Sequence, residues 1–163
     1  MRSGQACPVC LEGRPDEIDG GRLRVYAGRV LDAYLSRDDA ARCYVVAFYR
    51  GHHVVEPTEL AAEESVAFWQ ELLVVADAIE RYFQPMKLNL LLLGNAVPHL
   101  HAHVVPRYRD DPDGGEPPRF MMGSSDWQPV ADEAYLADVA ALRAAYRGGS
   151  AATSVPVARR SSA

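Results

Sequence analysis

The chain has 163 residues, of which 48% are hydrophobic and 24% charged, so a single globular domain with an unaided core is expected. A net charge of −5 speaks against a non-specific nucleic-acid binder, which needs a basic stripe, but not against a small phosphorylated ligand. No run of 18 apolar residues and no secretory leader pattern is seen, and the three cysteines make no disulfide framework; a cytoplasmic location away from membranes is expected.

Residues 1–21 read as loop, punctuated by Gly13, Pro15, Gly20 and Gly21. Within them Cys7-Pro8-Val9-Cys10 forms a CxxC pair. A thioredoxin-type site would need a preceding strand and a following helix, and neither is apparent. A chance pair is the bland reading. A metal knuckle is preferred, although two cysteines supply only half of a tetrahedral site.

From Arg22 the pattern alternates: Arg22–Ala27, then Val30–Leu35 after Gly28, then the β-prone run Cys43–Tyr49. Three strands with short connections predict an antiparallel meander. Cys43 reads as a small buried residue of the third strand. His52 and His53 follow that strand. Thr58 is placed to cap a helix of about 25 residues, with Glu59, Glu63 and Glu64 near its positive end and Pro85 stopping it. Trp69, Leu72, Leu73, Ala76, Ile79 and Phe83 are its expected core stripe.

Lys87–Leu93 reads as a well-packed buried strand, because leucine fills both faces around Asn89, and Gly94-Asn95 signals a hairpin turn. The return strand carries His99-Leu100-His101-Ala102-His103, three of the chain's five histidines at alternating positions. On a strand they would share one face at intervals of about 6.6 Å, opposite Leu100, Ala102 and Val104. A strand built only for stability would carry Val, Ile or Phe there. Clustered imidazoles suit metal binding or proton and phosphoryl chemistry instead. After a loop over 109–118, residues 132–146 predict a second helix with Tyr135, Leu136, Val139 and Leu142 on one side. The domain is expected to span 1–148, and 149–163 to be a disordered tail.

Two sites can be assembled from these residues. Cys7, Cys10, one of His52 or His53, and one histidine of the alternating set would complete a closed Cys₂His₂ tetrahedron. The remaining histidines are then free for chemistry, with His101 the candidate nucleophile. Without a serine or cysteine nucleophile motif or a phosphate-binding glycine loop, phosphorus is the expected electrophile.

The run His99–Val105 resembles the His-φ-His-φ-His-φ-φ signature of the histidine triad (HIT) superfamily of nucleotide hydrolases and transferases, including its Hint, Fhit and galactose-1-phosphate uridylyltransferase relatives. Cys7–Cys10, His53-Val54 with Glu59-Leu60, Leu88-Asn89 and Pro106-Arg107-Tyr108 extend the resemblance over roughly residues 7–108, to the zinc-containing bacterial branch. The resemblance implies an α+β fold with an antiparallel sheet of about five strands and two helices, dimerised through the longer helix and the sheet edge. It implies one structural zinc held by Cys7, Cys10, His53 and His99. It makes His101 the nucleophile toward the α-phosphorus of a nucleotide, His103 a phosphate contact, and Asn95 and Asn89 substrate-binding residues. Two features depart from the family pattern. The turn Gly94-Asn95-Ala96-Val97 is shorter than usual and Ala96 has no donor, so Asn95 would take over part of the phosphate grip. Tyr44 and Val45 stand where many members carry a further histidine. The implied reaction is hydrolysis or nucleotidyl transfer from a phosphoramidate or dinucleoside polyphosphate. The alternatives are a pathway-specific nucleotidyltransferase and a catalytically weak nucleotide-binding or scaffold protein.

Overall fold

A computed structural model describes residues 4–37, 42–111, 113, 115–118 and 128–149. Among these, six strands form one antiparallel sheet in the order β1-β2-β3-β4-β6-β5. They are β1 (Glu17–Ile18), β2 (Arg22–Ala27), β3 (Leu31–Leu35), β4 (Val45–Tyr49), β5 (Lys87–Leu91) and β6 (His101–Arg107). Three helices accompany them: α1 (Pro8–Glu12), α2 (Ala62–Phe83) and α3 (Asp132–Gly149). The α+β class and the β2–β4 meander stand as expected. The sheet gains a sixth strand and the domain a third helix, both from the stretch expected to be loop. A two-residue strand and a five-residue helix are too short to show a hydrophobic period. Of the expected tail, Gly149 closes α3 and residues 150–163 lie outside the described residues.

The pleat separates two faces. On one, Leu31, Ala33 and Leu35 of β3, Val45, Ala47 and Tyr49 of β4, and Ala102 and Val104 of β6 pack against Phe68, Leu72, Val75 and Ile79 of α2. Tyr135, Val139 and Leu142 of α3 complete this core. The other face carries Asp32, Tyr34, Tyr44, Val46, Phe48, His101, His103 and Val105, aligned by the pairs Tyr34↔Val46, Asp32↔Phe48, Val46↔His103 and Phe48↔His101. Among the described residues, α2 and α3 pack on the first face; the second is also largely buried, with His101 only 8% exposed.

Several local expectations are corrected. Thr58 lies in a 3₁₀ turn, Pro57–Glu59, and does not cap α2; the helix starts after Ala61, whose N–H donates to Glu64 Oε2 at 3.1 Å. Trp69 and Leu73 are 38% and 57% exposed, and with Val66 at 57% they form an outer apolar stripe. The helix is apolar on more than one side, and its spacing alone does not say which side meets the sheet. Leu136, expected in the α3 stripe, is likewise exposed. Cys43 precedes β4 in a left-handed conformation, φ 67°, although it is buried as expected.

The largest correction concerns β5. It is the sheet edge, not a buried central strand, and Leu90, Leu92 and Leu93 are exposed. Leucine on both faces was the signal for burial, yet an edge strand presents the same composition when its outer side awaits another surface. The β5–β6 connection also exceeds the tight turn at Gly94-Asn95, since β5 ends at Leu91 and β6 starts only at His101.

Candidate functional site

That long connection splits the three histidines. His99 precedes β6: its N–H donates to Val97 O at 2.8 Å, and the Leu100 N–H to Val54 O at 2.8 Å. The chain is therefore held by loop contacts at this point, and the His99 side chain turns toward the N-terminal segment. The expectation that all three imidazoles share one strand face holds for His101 and His103 only, whose ring centroids lie 4.9 Å apart.

His99 meets the CxxC pair. Its Nδ1 lies 3.4 Å from Cys7 Sγ and 3.5 Å from Cys10 Sγ, and His53 Nδ1 lies 3.4 Å from Cys10 Sγ. Ligand atoms of Cys7, Cys10, His53 and His99 all fall within 4.8 Å of one another. A tetrahedral cation with metal–sulfur and metal–nitrogen bonds of typical zinc length has sulfur–nitrogen edges of about 3.6 Å. The observed separations match that edge. The tautomer is also set: His99 Nε2–H donates to Tyr49 O at 2.7 Å, which leaves the Nδ1 lone pair facing the thiols. Helix α1 arises because Pro8 pre-sets its first turn after Cys7, bringing Cys10 back toward Cys7. Gly4, at φ +69°, lies against His53; a Cβ there would come within 2.8 Å of the His53 Cβ and 2.9 Å of its ring Cγ. His52, the open alternative as ligand, instead faces Glu64, 3.3 Å away.

On the second face, His101 Nδ1–H donates to the carbonyl of His99 at 2.6 Å. A carbonyl only accepts, so the proton sits on Nδ1 and Nε2 keeps its lone pair. Phe48 packs beside the His101 ring with centroids 5.4 Å apart. His103 Nδ1 lies 2.6 Å from the Tyr44 hydroxyl, and the two rings stack at 5.8 Å. Burial pushes the His101 imidazole below its ordinary value, against the opposing pull of its bond to His99 O. Burial, with positive charge at His101 and Arg22, pushes His103 down to about 4. Both rings are therefore neutral near pH 7, the state a nitrogen nucleophile needs. A narrow cleft between Val55–Pro57 and Leu92–Gly94 reaches His101.

The two expected substrate residues are not brought together. Asn95 is exposed in the 92–100 connection. Asn89 pairs with Val105, on the same face as His103, and its Oδ1 accepts from Arg107 Nη1 at 3.0 Å.

Sequence reasoning overlooked Asp32. Its carboxylate is fully buried and takes Arg14 through Nε at 2.8 Å and Nη2 at 2.5 Å, Arg50 Nε at 3.2 Å and Arg24 Nη1 at 3.6 Å. Arg50 also donates to Val9 O of α1 at 3.1 Å and to Tyr34 Oη at 3.2 Å, and stacks over Phe48 at 5.5 Å. One buried carboxylate thus ties the knuckle, β3 and the aromatic neighbour of His101 together. The available signal was an aspartate in the middle of an otherwise apolar strand.

A HIT-domain family model matches residues 27–110, just over half of the chain. Solved structures agree in fold. A histidine triad protein from Marinobacter aquaeolei is 25% identical, with a TM-score of 0.69 over 78% of this chain and 90% of its own. A protein described as a hypothetical histidine triad nucleotide-binding protein, from Sulfolobus tokodaii, is 18% identical, with a TM-score of 0.60 over 78% and 85%. A zinc-bound histidine triad family protein from Mycobacterium smegmatis is 22% identical, with a TM-score of 0.54 over 78% and 86%. No curated protein matches the sequence significantly. On the family match and the paired histidines of β6, this chain belongs to the HIT-domain family.

Proposed function

We propose that this protein is a nucleotide hydrolase or nucleotidyltransferase acting at the α-phosphorus of a nucleoside phosphoramidate or dinucleoside polyphosphate. The observation that carries the reading is the clamp on His101: Nδ1–H is held by the His99 carbonyl, so Nε2 is a neutral, oriented lone pair on the sheet face away from the α2–α3 core. That nitrogen bonds to the α-phosphorus as the bond to the leaving group breaks and the electron pair departs with the polyphosphate or amine; an amine also takes up a proton from water. Forming the bond leaves positive charge on the His101 ring, and the carbonyl at 2.6 Å stabilises it. Water or another acceptor then attacks phosphorus and gives up its proton to solvent, the phosphorus–nitrogen bond breaks with its electron pair returning to Nε2, and His101 regains its neutral form. His103 hydrogen-bonds a phosphoryl oxygen, the electrostatic contribution that is usually largest. Asn95, and Asn89 on the same face as His103, are assigned to substrate.

Cys7, Cys10, His53 and His99 would hold one zinc ion, which supplies structural closure and takes no part in the chemistry. The name of the Mycobacterium smegmatis relative, which includes bound zinc, supports this. The name of the Sulfolobus tokodaii relative supports the nucleotide. A homodimer is proposed through the outer stripe of α2 and the β5 edge, where Val66, Trp69, Leu73 and Leu90 are exposed. Among the described residues no helix is long and apolar enough to cross a membrane. The test is a panel of nucleotide conjugates with the wild type and His101→Asn: release of nucleoside monophosphate by the first and none by the second supports the reading. A nucleotide bound without turnover by the wild type would favour the binding-protein alternative. Strong turnover only with a sugar-phosphate acceptor would favour the dedicated transferase.

A further inference from the structure

His101 and His103 are two residues apart on one strand, yet their Nδ1 atoms meet different kinds of partner. The His101 partner is a carbonyl, which can only accept. The His103 partner is the Tyr44 hydroxyl at 2.6 Å, which can accept or donate. A neutral imidazole carries one proton, so the direction of this bond decides which nitrogen of His103 faces substrate as a donor. If His103 held its proton on Nδ1, both Nε2 atoms would aim lone pairs at an anionic phosphoryl group, and they would repel it.

We propose that Tyr44 is a positioning residue: its hydroxyl donates to His103 Nδ1, which fixes the His103 proton on Nε2 and makes that atom a hydrogen-bond donor to phosphate. The two histidines then hold opposite tautomers, His101 with a bare Nε2 for attack and His103 with a protonated Nε2 for binding. The fold gives Tyr44 little freedom to do otherwise. It is buried, its ring lies within 22° of parallel to His103, and its carbonyl accepts the Ser36 N–H at 2.8 Å. The left-handed Cys43 immediately before it turns the chain into β4. The depressed basicity of His103, down to about 4, keeps a single proton on the ring, so that its location is a defined property.

The role in phosphate contact rests on the nucleotide reading above; the tautomer does not, and it is measured in the substrate-free protein. Imidazole ¹⁵N NMR of the full chain at pH 7 is expected to show His101 with its proton on Nδ1 and His103 with its proton on Nε2. In Tyr44→Phe, which keeps the ring and removes the hydroxyl, His103 is expected to shift toward the other tautomer while His101 does not change. The melting temperature should stay within a few degrees, and kcat/KM for a nucleoside phosphoramidate should fall on the order of tenfold. Wild-type His103 protonated on Nδ1, or an unaltered His103 tautomer in Tyr44→Phe, would overturn the proposal. A protein that turns over no nucleotide but shows the expected tautomers would sink the enzymatic reading alone. Should Tyr44→Phe not fold, the wild-type spectrum decides the tautomer by itself.

Discussion

The carbonyl oxygen of His99 lies 2.6 Å from Nδ1 of His101, while the imidazole of the same His99 reaches the thiols of Cys7 and Cys10 at 3.4 and 3.5 Å. One residue therefore serves both sites. Its side chain belongs to the proposed metal knuckle and its backbone orients the proposed nucleophile. Anything that loosens the knuckle moves the carbonyl that holds the His101 proton.

Metal removal is accordingly expected to act on activity before it acts on the fold. Elemental analysis should find one zinc per chain, and Cys7→Ser with Cys10→Ser should abolish it. The double variant should retain its sheet by circular dichroism, because the core between β3, β4, β6 and the helices does not include the knuckle, and should lose most of its turnover. Full activity in a metal-free double variant would show that the knuckle is ornamental.

Asp32→Ala should be among the costliest single changes outside the hydrophobic core. It leaves Arg50, 6% exposed, without its carboxylate, and breaking one side of a buried ion pair costs about 3 kcal/mol or more. Urea unfolding is the appropriate measurement. A loss well under 1 kcal/mol would mean that the three arginines find other partners.

Acid should weaken the fold through His103. Its folded value of about 4 lies below the 6.5 of an exposed histidine, so the unfolded chain takes up a proton that the native chain refuses. The stabilisation is fully present above pH 6.5 and is lost as pH falls through about 4. Denaturant midpoints of the wild type and His103→Gln between pH 7 and pH 4 should converge on the acid side. Parallel curves would contradict the assignment.

The exposed apolar residues of α2 and β5 predict self-association. Wild-type protein should behave as a dimer in light scattering, and Leu73→Glu combined with Leu90→Glu as a folded monomer. A monomeric wild type would leave that surface to another partner.

Local spacing made much of the site legible. Cys7 and Cys10 bracket one helical turn, and His101 and His103 are separated by one pleat, so their neighbours in space are also neighbours in sequence. The proposed ligand set of Cys7, Cys10, His53 and His99 is legible from counting donors together with a family resemblance, and these four residues do come together. What stayed hidden depended on contacts across long separations. Asp32 meets Arg14 from before β1 and Arg50 from the end of β4, and no period announces such a meeting. Tyr44 was visible only as a departure from a pattern; its bond to His103 spans 59 residues. The β5 leucines misled because composition does not distinguish a central strand from an edge awaiting a partner. Trp69 and Leu73 misled in the same way on α2.

The most direct measurement of the central claim is mass spectrometry of the protein quenched in acid-free denaturant during turnover of a nucleoside phosphoramidate. A nucleoside monophosphate adduct mapped to His101, absent in His101→Asn and discharged on adding water or an acceptor, is the predicted result. Turnover that continues in His101→Asn, or an adduct on any other residue, would contradict it.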